Sequence, residues 1–171
     1  LVIFTSVLKH YKKRFPGVKI SLLVKSGTGA ETFLENFVDE ILFFDYRRFS
    51  WNPFYGAVFL NCLRRIGFAR VVNHDFSASE IMGKIIGTEL GAKETVCYEG
   101  LGVEWQNPFD YQQKKNLEIV RCDIFPRYTK VIPGIDIHET PVARLPSAAE
   151  HYVRIYESIA GQKADEYATH I

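Results

Sequence analysis

Two adjacent arginines, Arg47 and Arg48, are the residues whose type and position first indicate binding chemistry. They follow an apolar run, residues 40–44, and stand among aromatic side chains that include Tyr46 and Trp51. Paired guanidinium groups bind phosphate or carboxylate through bidentate, charge-assisted hydrogen bonds. If the apolar run is a strand, the pair lies at its carboxyl end, where open α/β sheets bind ligands. The sequence therefore predicts an anion site here, with solvated loop charge as the open alternative.

A second polar group, Asn73, His74 and Asp75, lies at the end of a shorter predicted strand, residues 70–73. A histidine beside an aspartate could act as a general base. Adjacent residues of a strand point to opposite faces of the sheet, so these two side chains need not form a dyad. The simpler interpretation is a polar strand end, and both interpretations stay open.

The other candidate groups have structural interpretations that suffice. The Gly-rich segment 26–29 lacks the third glycine of a dinucleotide fingerprint and the Lys-Ser/Thr ending of a P-loop, so we interpret it as a capped turn. Arg64 and Arg65 fall in the last turn of a predicted helix, where cations stabilise the helix dipole. The cations of the first predicted helix could face anionic membrane lipid, although a solvated helix face is the simpler interpretation. They are Lys9, Lys12, Lys13 and Arg14.

Composition narrows the function classes. The 171 residues carry a net charge of +1, so no global field directs the chain to nucleic acid or membrane, and local basic clusters stay open. Cys62, Cys97 and Cys122 are odd in number and widely spaced, and no pair has the spacing of metal ligands, which favours buried free thiols in a reducing compartment. No apolar run approaches the roughly 20 residues of a membrane span. We expect a globular domain over residues 1–161, with residues 162–171 as a tail or the start of an interdomain linker.

Apolar runs alternate with capped, amphipathic stretches along the chain, and this alternation predicts an α/β fold with a parallel sheet and helices on both faces. The strands are predicted at residues 18–24, 40–44, 70–73, 95–98 and 128–132. Helices are predicted at residues 4–14, 29–37, 53–66, 77–86 and 147–160, with a weaker helical pattern at residues 110–122 and a loop at residues 45–52.

Five segments stand in a fixed order along the chain: TSVLKHYKKRFPGVKISLLVKSG at 5–27, FVDEI at 37–41, FARVVN at 68–73, YTKVIP at 128–133 and EHY at 150–152. Their order resembles that of the heptosyltransferase family of glycosyltransferases, which extend the lipopolysaccharide core of Gram-negative bacteria. The resemblance implies a Rossmann-like fold, the amino-terminal and acceptor-binding half of a two-domain GT-B enzyme. Such an enzyme transfers heptose from ADP-heptose to a lipid-linked core oligosaccharide, with inversion and without a metal or other cofactor.

The resemblance also implies roles for residues. The family's catalytic base is an Asp just before the first helix, which would precede Leu1, so no catalytic residue is assigned within the chain. Arg47 and Arg48 would hold phosphate or carboxylate groups of the acceptor. At the positions of residues 73–77 the family often has Asp-Leu-Gln-Gly-Ser. Of these five residues this chain has only the last, Ser77.

Four acceptor-binding candidates therefore join the two arginines. They are Asn73, His74, Asp75 and Ser77. Such an enzyme would work in the cytoplasm, with possible peripheral contact at the inner face of the inner membrane. The alternative is a non-catalytic Rossmann-like module that binds a glycan or a protein, so whether the chain belongs to an enzyme stays open.

Overall fold

A computed structural model describes residues 2–27, 29, 34, 36–74, 81–99, 115–116, 118–134 and 148–161. The central residues of the helix predicted at 29–37 lie outside these ranges, as do Asp75, Ser77 and the tail. The described elements are, in chain order, α1 (Val2–Arg14), β1 (Ser21–Lys25), β2 (Glu40–Phe44), α2 (Tyr46–Trp51), α3 (Pro53–Ile66), β3 (Arg70–Asn73), α4 (Ile81–Glu89), β4 (Glu94–Tyr98), a π-helical turn (Val120–Ile124), a 3₁₀ turn (Phe125–Arg127), β5 (Lys130–Ile132) and α5 (Ala148–Ala160).

The chain divides into two compact units. Residues 1–59 and 146–171 form the first unit, and residues 60–145 form the second, so that α3 begins in one and ends in the other. The prediction of one domain over residues 1–161 stays a prediction.

The first unit is built on a parallel pair of strands, β1 and β2, with Leu22 opposite Ile41. Helices α1 and α5 supply the core that packs against this pair, because their apolar residues recur at helical spacing. Tyr11 and Tyr156 meet edge to face at 5.1 Å between ring centroids. The buried members of this core are Val7, Leu8, Tyr11, Leu34, Val38, Val153, Tyr156 and Ala160.

The second unit contains a three-stranded parallel sheet in the order β3-β4-β5. Its central strand β4 is buried from Thr95 to Tyr98, as expected for a strand with neighbours on both sides. The Thr129 hydroxyl donates to the Thr95 carbonyl at 2.8 Å and accepts from the Thr95 N–H, also at 2.8 Å, which fixes the approach of β5. Phe125, Tyr128 and the π-helical turn pack against Cys97 of β4.

The α/β class and the parallel direction of the strands are confirmed. Strands β2 and β3 have the predicted bounds, and α3 begins at Pro53 and ends before Gly67 as predicted.

Several predictions differ from the structure. Cys62 and Cys122 are exposed, so of the three predicted buried thiols only Cys97 is buried. Among the described residues the strands form two hydrogen-bonded sheets instead of one, because an apolar run specifies a strand but not its neighbours. The near-continuous apolar run of strand β2 predicts burial on both faces of the sheet, but the strand exposes Phe43.

Candidate functional site

The two candidate arginines lie in a short helix, and the predicted loop at residues 45–52 is wrong. Asp45 caps this helix α2, since its Oδ1 accepts the Arg48 N–H at 2.9 Å. The Asn52 N–H ends the helix on the Arg48 carbonyl at 2.8 Å, and the Asn52 side chain then caps α3 by accepting the Tyr55 N–H at 3.0 Å. The missed signal is Asp45 itself, an N-cap residue two positions before Arg47.

Aromatic packing holds α2 on the carboxyl end of β2. The Phe49 ring meets Phe44 of β2 at 6.4 Å and Phe59 of α3 at 5.9 Å between centroids, both edge to face. Tyr55 stacks on Phe59, and its hydroxyl accepts the Asp45 N–H at 3.1 Å. Offset and edge-to-face aromatic pairs of this kind add stability beyond their buried area. The arginines are therefore carried by a packed element.

Three cationic side chains lie at this edge of the first unit. Lys25 ends β1 opposite Phe44, and its Nζ lies 5.0 Å from the centroid of the Tyr46 ring. The Arg48 side chain is 72% exposed, with its Nε 3.5 Å from Asp45 Oδ2. Arg47 is exposed and has no ion-pair partner among the described residues. We call Lys25, Arg47 and Arg48 the cation cluster.

The cation cluster has the chemistry of an anion site. Its guanidinium groups can form bidentate hydrogen bonds, and its ammonium group adds a compact charge. The nearby carboxylate, Asp45, already accepts the N–H that caps α2 and faces only one of the two guanidinium groups. Sequence analysis identified Arg47 and Arg48 but did not assign Lys25, although its position at the end of a predicted strand was a usable signal.

The second predicted group has a different setting. Asn73 is buried at the end of β3, and its side chain hydrogen-bonds to the phenol of Tyr128. The same phenol donates to the Lys84 carbonyl at 2.7 Å, and burial raises the pKa of Tyr128 above its usual range. Asn73 thus belongs to a buried polar network that joins β3, α4 and the start of β5.

Burial lowers the pKa of His74 to about 3, so its imidazole is neutral at pH 7. A general base works best with a pKa near the operating pH, so this imidazole is a poor one. Asp75 and Ser77 lie outside the described residues. Parallel strands of one sheet would bring Asn73 and His74 to the same edge as Arg47 and Arg48. The two pairs belong to different units, and this convergence stays a prediction.

Three of the cations of α1 contact side chains of the first unit. Lys12 forms an ion pair with Asp39 at 2.7 Å, and that hydrogen bond is the first cause that lowers the pKa of Asp39. Lys9 lies 5.1 Å from the centroid of the Phe37 ring, and Arg14 lies against Phe15. These contacts favour the solvated helix face over the lipid-facing one.

Neither a membrane-spanning helix nor a metal-binding cluster among the described residues, nor a similar known protein, adds to this description. Within the described part of the chain, no helix has both the length and the apolar character that crossing a bilayer requires. Across the same ranges, no cluster of three or more His, Cys, Asp or Glu side chains is placed to hold a metal ion. No known protein family, curated protein or solved structure matches this chain.

Proposed function

We propose that this chain provides the acceptor-binding part of a glycosyltransferase that resembles the heptosyltransferases. The observation that carries the proposal is the cation cluster at the shared carboxyl edge of β1 and β2. Open α/β sheets bind ligands at this edge, and the core oligosaccharides of lipopolysaccharide carry phosphate and carboxylate groups. The acceptor would be a lipid-linked core oligosaccharide.

In this proposal the chain positions the acceptor and does not supply the donor site. Arg47 and Arg48 hold the anionic groups of the acceptor, and Lys25 adds charge on one side. ADP-heptose is the donor, and a carboxylate outside the described residues takes the proton from the acceptor hydroxyl that attacks the anomeric carbon. The reaction takes place in the cytoplasm, where nucleotide sugars are available.

A non-catalytic binding module is the second candidate function. One observation favours it: the groups described at this edge are binding groups, and the carboxylate beside them, Asp45, caps α2 and pairs with Arg48. Such a module would use the same cation cluster to bind an anionic glycan. Both candidates therefore predict the same binding, and they differ in whether transfer follows.

Calorimetric titration with a deacylated, phosphorylated core oligosaccharide tests the binding step. We expect Arg47→Ala with Arg48→Ala to weaken the affinity at least about tenfold, because a hydrogen bond to a charged group contributes roughly 1.5–3 kcal/mol before solvent screening. Arg154→Ala, which removes an exposed arginine from α5, is the matched control and should leave the affinity unchanged. Equal affinity of the double variant and the wild type would contradict the proposal.

Release of ADP from ADP-heptose, measured with the complete protein of which this chain would provide the acceptor-binding part, separates the two candidates. Release that depends on the oligosaccharide would identify an enzyme. Binding of the oligosaccharide without such release would favour the module. If removal of the phosphates together with reduction of the carboxylates to alcohols leaves the affinity unchanged, the cluster does not recognise anions and both candidates lose their support.

A further inference from the structure

Large apolar side chains stand in solvent beside the cation cluster. Trp51 of α2 is 88% exposed, and Phe54 and Val58 of α3 are 83% and 62% exposed. The sequence has no charged residue between Arg48 and Arg64, so no charged side chain of the first turns of α3 offsets this surface. We call Trp51, Phe54 and Val58 the outer face.

The outer face is held outward by the packing behind it. Phe49 is the inward residue of α2, and Trp51 lies two positions on, about 200° around the helix, which places it on the opposite side. Arg47 and Trp51 are four residues apart and so share one face of α2. On α3 the rings of Tyr55 and Phe59 stack inward, while Phe54 and Val58 repeat the four-residue spacing outside.

An exposed apolar surface of this kind marks an interaction site. Most surface helices present charged residues to water, and contiguous exposed apolar patches usually bind proteins, ligands or membranes. Tryptophan in particular favours the boundary between water and hydrocarbon, because its ring is amphipathic. The composition of the patch alone does not choose between a protein and a lipid partner.

The charges around the outer face make that choice. Arg47 lies one turn from Trp51, with Lys25 and Arg48 close by in the cation cluster, and Asp45 is used as a helix cap. Apolar aromatic residues bordered by cations are the composition of a helix surface that lies in a membrane interface. A cationic border complements the negative surface of a bilayer that contains anionic lipid.

We propose that the outer face inserts into the surface of an anionic lipid bilayer, with the cation cluster at the level of the lipid phosphates. The contact is peripheral, since it uses one face of two helices and no spanning segment. It differs from a contact through α1, where Lys12 pairs with Asp39, and Lys9 and Arg14 lie over aromatic rings. This inference stands apart from the proposed function, because it requires a bilayer and no oligosaccharide.

Sedimentation with lipid vesicles tests the contact. The full chain should bind vesicles of phosphatidylcholine with phosphatidylglycerol and should bind phosphatidylcholine alone much more weakly. Trp51→Ala should lower the partition coefficient about tenfold, as expected when a large aromatic side chain no longer leaves water. Arg47→Ala should lower it about fivefold on anionic vesicles, and should change little on neutral ones.

Two valines supply a matched control. Val58 and Val18 are 62% and 57% exposed, and Val18 precedes β1, at the opposite end of that strand from Lys25. Val58→Ser should weaken vesicle binding, whereas Val18→Ser should not. Equal effects of the two changes, or vesicle binding that survives Trp51→Ala, would overturn the inference.

Tryptophan fluorescence gives an independent measurement. The chain has two tryptophans, and Trp105→Phe leaves Trp51 as the reporter. On anionic vesicles its emission should shift to the blue and be quenched by lipids brominated on the acyl chain. An unshifted spectrum overturns the inference. Concentration-dependent dimerisation without lipid that Trp51→Ala abolishes also overturns it, since a second copy would then cover the outer face.

The two proposals fail separately. Vesicle binding without oligosaccharide binding would remove the proposed function alone, and oligosaccharide binding without vesicle binding would remove this inference alone.

Discussion

The imidazole of His74 carries no charge at pH 7, because burial lowers its pKa from 6.5 to about 3. In the unfolded chain the same ring takes up a proton below its ordinary pKa of 6.5. Between pH 6.5 and pH 3 the unfolded state therefore binds the proton that the folded state excludes. The free energy of unfolding must fall as the pH falls through this window.

We expect His74 to lower the free energy of unfolding by up to about 1.4 kcal/mol for each pH unit between pH 6 and pH 4.5. Urea unfolding at several pH values measures it, and His74→Gln should flatten the slope in this window. The pKa of Asp39 and Glu40 is lowered mainly by hydrogen bonds from Lys12 and Lys19, so their contribution is lost only below about pH 4.5. The same slope in wild type and His74→Gln would show that the ring is protonated in the folded state.

At the scale of elements, helix α4 packs closely against Tyr128, just before β5, at Gly87. A Cβ atom at this position would lie 2.3 Å from the Tyr128 hydroxyl and 3.2 Å from its ring carbon Cζ. The hydroxyl is held by its hydrogen bond to the Lys84 carbonyl, and the residue is buried. The glycine is therefore required for close packing, in a helix where alanine would otherwise be favoured.

Gly87→Ala should destabilise the protein by about 1–3 kcal/mol, because the phenol must move and lose its hydrogen bond. Helix propensity alone predicts the opposite sign, a gain of about 1 kcal/mol. Gly56→Ala on α3 is the matched control, since its Cβ would meet nothing nearer than 3.9 Å, and it should stabilise the protein. Thermal unfolding of both variants decides the matter, and a stabilising Gly87→Ala would refute the packing argument.

The elements also show what the sequence could and could not predict. The bounds of α3 were predictable because Asn52, Pro53 and Gly67 are local signals whose roles the structure confirms. Helix α2 was missed because six residues are too few for an apolar period, although Asp45 marked its start. The burial of Asn73 was not predictable, since its partner Tyr128 is distant in sequence and becomes a neighbour only through the pairing of β3, β4 and β5.

At the scale of the whole molecule, charge is nearly balanced and locally uneven. The formal net charge is +1, with 21 basic and 20 acidic side chains. At physiological ionic strength charges are screened over about 8 Å, so an anion at the carboxyl edge of β1 and β2 interacts with the side chains beside it. Local placement should then decide anion affinity, and net charge should matter little.

Two charge reversals with the same effect on net charge test this expectation. Arg47→Glu and Arg154→Glu each change the formal net charge from +1 to −1, and both sites are exposed residues of the first unit. Arg47→Glu should abolish measurable binding of the phosphorylated oligosaccharide, because it places a carboxylate inside the cation cluster and repels the ligand. Arg154→Glu should change the affinity less than twofold at the same salt concentration. If the two variants lose affinity equally, the overall charge of the chain governs the binding, and the cation cluster is not a site.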